Sequence, residues 1–382
     1  MKRAVETHRL RRLANSNMTE PNSIPVQHHD GASKTSSIAV HGPISSQSYD
    51  ILVPLPDAKA VEYEGLDILR LLRTPLAIAE DRDGSVTVAS IVTAPSEINL
   101  DTASDASFPA EMSRVIDVAR DRVATVVDAV ADRHEDVPVS GKVIVGHVPD
   151  DVLTGYTTGD RYDGVFFAQT RGSAQALWDQ SVISAVLETA TCAVYHETLG
   201  TETDLSAATA QAEMHGNGSL PKADSASILL AVGTGPHSVL GAETARALGS
   251  TYGANVHALH LFESTDPERL RRGRKALDLA EYVLSDLPDA ECESRETDDV
   301  AADLLRESEK YDVAILGAPT KDPLLDRLLG RSVPDQLEPQ PTTSILTVRQ
   351  PSDALDSVYY RWKRATEGTS VRKDSPSMEE GF

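Results

Sequence analysis

At 382 residues the chain exceeds one ordinary α/β unit and predicts two domains with flanking segments. Its 59 acidic residues against 36 basic ones leave a formal charge of −23, which repels nucleic acid and excludes it as a partner. Such a surface suits solubility at high salt, where short Debye lengths screen self-repulsion; the composition reads as halophilic, with a merely acidic mesophilic protein as the alternative.

Cys192 and Cys292 lack CxxC spacing and read as free thiols, so neither a disulfide framework nor a zinc site is expected. No apolar run approaches the ~20 residues that span a bilayer, and the charged N-terminus lacks an apolar h-region, so a cytoplasmic protein is expected.

Residues 1–48 mix Arg, Asn, Ser, Gln, His and Pro without periodicity, which predicts a disordered arm, with Met1 and Met18 both open as the start. The first unit, 49–198, opens with a strand from Ile51, a helix from Glu62 to Leu72 and a strand from Val86 to Val92. Apolar residues then recur at helical spacing from Met112 to Ala131, which marks a core-facing helix. Strands follow at Lys142–Val148, Gly164–Ala168 and Cys192–His196, with a helix over Ser173–Leu187 before the last. Alternating strands and helices predict a parallel sheet.

The stretch 199–226 is rich in Thr, Ala, Gly, Asn and Ser and reads as a linker. In the second unit, 227–350, strands are expected at Ile228–Val232, Asn255–Phe262, Ala290–Thr297, Val313–Leu316 and Ser344–Val348. Helices are expected at Ser238–Tyr252, Arg269–Leu284 and Val300–Lys310, with Asp298 or Asp299 capping the last. ILVPLPDA from Ile51 resembles ILLAVGTG from Ile228, and YDGVFFAQ from Tyr162 resembles YDVAILGA from Tyr311, so the chain reads as a duplicated unit. A flexible tail covers 351–382.

The strand Val313–Leu316 ends at Gly317, and Gly330 follows thirteen residues later, ahead of Arg331 and Ser332. This spacing, with AVGTGPHS from Ala231 to Ser238 and GANVHALHLFE after the next helix, resembles the universal stress protein family across about Asp50 to Gln350. The second half also resembles the stress-protein domains fused to archaeal amino-acid permeases. The resemblance implies an α/β fold of two tandem doubly wound parallel-sheet domains, of the adenine nucleotide alpha hydrolase-like type. It also implies a stress-response regulator in which a subgroup binds ATP or another adenine nucleotide.

On that pattern the nucleotide contacts fall on Gly233 and Thr234 after the first strand of the second unit, Val256 on its second strand, and the loop Gly317, Thr320, Gly330, Arg331 and Ser332. Gly233 replaces the acidic residue of the pattern and Thr320 replaces a glycine, which weakens selectivity and close approach; Arg331 adds a charge able to pair with phosphate. Nucleotide binding and a purely structural glycine turn therefore stand open together. In the first unit Pro56, Gln169 and Asp179 stand at the corresponding places and only Gly172 fits, so no nucleotide is expected there.

His237 at a helix start and the strand pair His257 and His260, three apart and so on opposite faces, supply no metal ligand set. Neither GxSxG nor GxxxxGK[ST] occurs, so the expectation is a regulator without catalytic residues, weak ATP hydrolysis being the residual option. The partner is an unidentified protein, with an amino-acid transporter as the alternative class; assembly is either an internal pseudo-dimer or a homo-oligomer.

Overall fold

The computed structural model describes residues 26–28, 49–55, 68–100, 108–131, 134, 136–159, 161–170, 180–200, 226–235, 237–263, 267–318 and 342–350. β1 (Val26–His28), β2 (Asp50–Leu55), β3 (Ser85–Thr93), β4 (Val139–Gly146), β5 (Gly164–Thr170) and β6 (Ala193–Leu199) come from the first part of the chain. β7 (Ser227–Ala231), β8 (Asn255–Phe262), β9 (Glu291–Glu296), β10 (Val313–Gly317) and β11 (Ser344–Arg349) come from the second. They form one sheet in the order β1-β4-β3-β2-β5-β6-β11-β10-β7-β8-β9. Every pairing is parallel except the central one, where β6 runs antiparallel to β11 with Leu346 opposite Glu197. Outward from that pairing the first five strands on each side follow the same order, and β1 adds a sixth at the edge of the first side.

The strands are short and rich in Val, Ile and Leu because both faces are covered. One face carries α1 (Ile68–Asp81), α2 (Ala110–Ala131), α5 (His237–Tyr252) and α6 (Pro267–Val283), and a single apolar cluster runs beneath them from Leu72 and Val123 to Leu248 and Leu279. The other face carries α3 (Pro149–Thr157) and α4 (Gln180–Thr189) over Leu52, Ile91 and Phe167, and α7 (Val300–Ser308), whose Leu304 packs on Leu229 and Ala314.

Three expectations are corrected. The first helix runs on past the expected end at Leu72 to Asp81, because burial of Leu71, Leu72, Leu76 and Ile78 outweighs the lost hydrogen bond at Pro75 inside it; 62–67 lie outside the described residues. The third strand starts at Val139 and stops at Gly146, where Pro149 opens α3, a helix the sequence reading lacked. Within the expected arm, Val26–His28 pairs in parallel with Val143–Val145, covering the N–H and C=O groups that β4 would otherwise leave open. Of the expected linker at 199–226, Leu199 belongs to β6 and 201–225 lie outside the described residues, as does the tail at 351–382.

Candidate functional site

In doubly wound sheets, ligands bind beyond the carboxyl ends of the strands. At that end of the second half, β7 gives way to the loop 232–235 and then to α5, whose first residue is His237. The loop is tied to the helix through one hydroxyl. The Gly233 N–H donates to Ser238 Oγ at 3.0 Å, and that hydroxyl donates to the Gly233 carbonyl at 2.8 Å. Ser238 N–H donates to the Gly235 carbonyl at 3.2 Å, which closes the turn. Gly233 and Thr234 are exposed.

Gly317, the last residue of β10, faces the start of the same helix. A Cβ placed on it would lie 3.0 Å from the Cβ of His237 and 3.5 Å from Ser238 N. Any side chain would press on the first turn of α5, where amide donors lack intrahelical partners and the helix dipole is positive. Ala318 N–H donates to the Val348 carbonyl at 2.7 Å, so β11 fixes the exit of β10.

Both imidazoles at this end are engaged. His237 Nδ1 accepts the Gln350 N–H at 3.0 Å, and burial together with Arg349 pushes its pKa below the ordinary histidine value. His260 Nδ1 lies 2.7 Å from the Val232 carbonyl and donates to it, which fixes the tautomer. Gly273 of α6 leaves room for that ring: a Cβ there would come within 1.9 Å of His260 Nε2. The His260 contact and the Gln350 contact were not anticipated. The period-two alternation of β8 could have placed His260 beside Val232; nothing local signals Gln350.

The structure therefore brings together Gly233, Thr234 and Gly317 around the start of α5. It does not bring Val256 to them. Val256 pairs with Ile228 near the start of β8, and its Cγ2 would lie 3.1 Å from a Cβ on Gly249, under the end of α5. Its place is the other end of these strands from Gly233 and Gly317. Thr320, Gly330, Arg331 and Ser332 lie outside the described residues, as do Pro56, Gly172 and Asp179 of the first unit.

His257 and His260 project to opposite faces as expected. His257 Nδ1 contacts Tyr311 Oη at 2.5 Å and its Nε2 lies 3.2 Å from Glu293. Among the described residues no group of three or more His, Cys, Asp or Glu side chains is placed to hold a metal ion. Among them, too, no helix is long and apolar enough to cross a membrane.

The class of protein is thus an α/β protein with a mostly parallel, doubly wound sheet, in which Gly233 and Gly317 meet at the start of α5. In fold, the chain is similar to a universal stress protein from Archaeoglobus fulgidus DSM 4304, at 14% identity and a TM-score of 0.43 over 81% of this chain and 98% of that one. It is similar to the cytoplasmic domain of a prokaryotic cation chloride cotransporter, at 13% identity and 0.45 over 80% and 97%. A universal stress protein in complex with cAMP matches 33% of this chain and 97% of its own, at 16% identity and 0.24. No family model and no curated protein matches. At these identities and scores the likenesses carry no function to this chain.

Proposed function

We propose that the chain is a cytoplasmic regulator of universal-stress-protein type, built from two tandem units, 49–198 and 227–350, packed as an internal pseudo-dimer. Its second unit senses an adenine nucleotide. The observation that carries this reading is Gly317: its backbone lies so close to the first turn of α5 that an added Cβ would sit 3.0 Å from the Cβ of His237, beside the exposed Gly233 and Thr234. A phosphate held there would meet backbone donors and the positive end of the helix dipole. Binding would order the loop after Gly317 and shift the population of a partner-facing surface.

The test is to denature the purified protein and identify released nucleotide, then titrate ATP, ADP and AMP into the stripped chain by calorimetry. One equivalent, lost in Gly317→Asp and retained in Gly172→Asp, is expected. No release and no heat from the unmodified chain rejects the nucleotide reading outright.

A second reading is favoured by the Gly233–Ser238 contacts, which use a donor and a hydroxyl that a nucleotide would otherwise take. On that reading the domain is a nucleotide-independent interaction module, with an amino-acid transporter as its partner class. Retention of the protein by transporter-containing membranes, unchanged by ATP, supports it.

A further inference from the structure

The strands of the first half of the sheet run opposite to those of the second half, so their amino ends lie at the same end of the sheet as Gly233 and Gly317. In that first half is a cleft of about 570 Å3. Asp50 and Ser85, the first residues of β2 and β3, form one wall with Thr87. Lys142 of β4 rises from the floor, Tyr156 descends from α3, and Arg161 and Tyr162 come from the loop before β5. No sequence motif marks this group. The fold assembles it from five separate stretches.

Its charge is out of keeping with the molecule. The chain has 59 acidic side chains for 36 basic ones, yet among the described residues neither Lys142 nor Arg161 pairs with a carboxylate. Lys142 Nζ instead donates to Tyr162 Oη at 2.5 Å and lies 5.2 Å from that ring's centroid. The Arg161 guanidinium sits 4.8 Å over Tyr156, exposed at the mouth. Burial and the Arg161 charge push the Lys142 pKa below its ordinary value, the response of a cation held near a like charge without a counter-ion. An anion between the two would relieve that repulsion.

The opposite wall has different chemistry. Asp50 Oδ1 accepts from Ser85 Oγ at 2.6 Å, and Thr87 Oγ1 lies 3.2 Å from Ser140 Oγ, a row of acceptors and hydroxyls suited to hydroxyl groups. The volume is in the range of small-molecule sites, roughly 300–1,000 Å3, and is too large for a bare phosphate. We infer that this cleft binds a small phosphorylated polyol, its phosphate between Lys142 and Arg161 and its hydroxyls against Asp50, Ser85 and Thr87. Two cations match a dianion better than a carboxylate, and the guanidinium supplies paired donors.

Calorimetric titration of the full chain with ribose 5-phosphate, glycerol 3-phosphate, gluconate and inorganic phosphate tests this, at the lowest salt that keeps the protein folded. A dissociation constant of about 1 mM or tighter is expected for ribose 5-phosphate. Arg161→Gln, on an exposed side chain whose loss leaves the thermal midpoint unchanged, is expected to weaken it about tenfold, and Lys142→Met similarly. Asp50→Asn should weaken ribose 5-phosphate but not inorganic phosphate, and Gly317→Asp should affect neither, which separates this site from the proposed nucleotide loop. Absence of heat at about 10 mM ligand, tighter binding of gluconate, or an unchanged affinity in Arg161→Gln would each overturn the inference.

Discussion

Glu197 is fully buried where β6 meets β11, held by Arg73 Nη2 at 2.5 Å and by Thr74 Oγ1 at 2.7 Å, both from α1. Arg73 reaches on to Ser344 Oγ of β11 at 3.0 Å, so one ion pair ties helix and both central strands. Removing one member of such a pair leaves a charge in the interior. Glu197→Ala is therefore expected to cost about 3–5 kcal/mol in urea unfolding, far above an exposed ion pair. The neighbouring His196 is 2% exposed, and burial holds its pKa down at about 4 against an ordinary 6.5. The unfolded chain takes up this proton below pH 6.5 and the folded chain only near 4. Stability from His196 is thus complete above 6.5 and falls by roughly 1.4 kcal/mol per pH unit as pH drops through that window. His196→Gln is expected to lose this slope, read as the difference between the two stability–pH curves. The strand expected from the sequence stops at His196, one residue short of this carboxylate. The ion pair, invisible locally, lets the strand run on to Leu199.

Elements were legible where local signals agreed and misread where tertiary burial decided. Asn255–Phe262 was read with both ends correct, since β-branched and apolar residues stand between a Gly–Ala turn and a polar stretch. The α7 start was equally plain: Asp299 accepts the Ala302 N–H at 3.0 Å, as a capping aspartate should. Asp299→Ala is expected to lower stability by about 1 kcal/mol, measured as a shift in thermal midpoint, while Asp298→Ala should change little. By contrast α1 runs through Pro75, which local preference forbids, and α3 is only nine residues with no side-chain cap. Pro149 at its start and the acids Asp150 and Asp151 in its first turn were the available signal for α3. The same division holds at the candidate site. Glycine after a strand located Gly233 and Gly317, whereas the place of Val256 depended on register along β8, which apolar alternation leaves undetermined.

Across the whole molecule, the continuous sheet and the single apolar cluster under α1, α2, α5 and α6 leave no plane along which the halves separate without exposing core. Polar contacts cross the same seam: Arg246 meets Asp81 and Arg82 meets Glu243, each at 2.6 Å, and Tyr252 Oη donates to the Arg73 carbonyl at 3.0 Å. Urea unfolding is therefore expected as one transition, with fluorescence and far-ultraviolet circular dichroism superimposing; two resolved steps would mean that the seam is weaker than either half. Salt then acts on the molecule as a unit and in two senses. It screens the mutual repulsion of a −23 chain, and it weakens exposed pairs such as Arg271 with Glu268. Each exposed pair contributes at most about 1 kcal/mol, whereas the repulsion sums over the whole surface and acts well beyond contact distance. Moving from about 0.1 M to 1 M salt shortens the screening length from roughly 10 Å to 3 Å, enough to remove most of that repulsion. The urea midpoint should rise across that range in sodium chloride. A midpoint that falls would show that ion pairs, and not net charge, govern the stability of this surface.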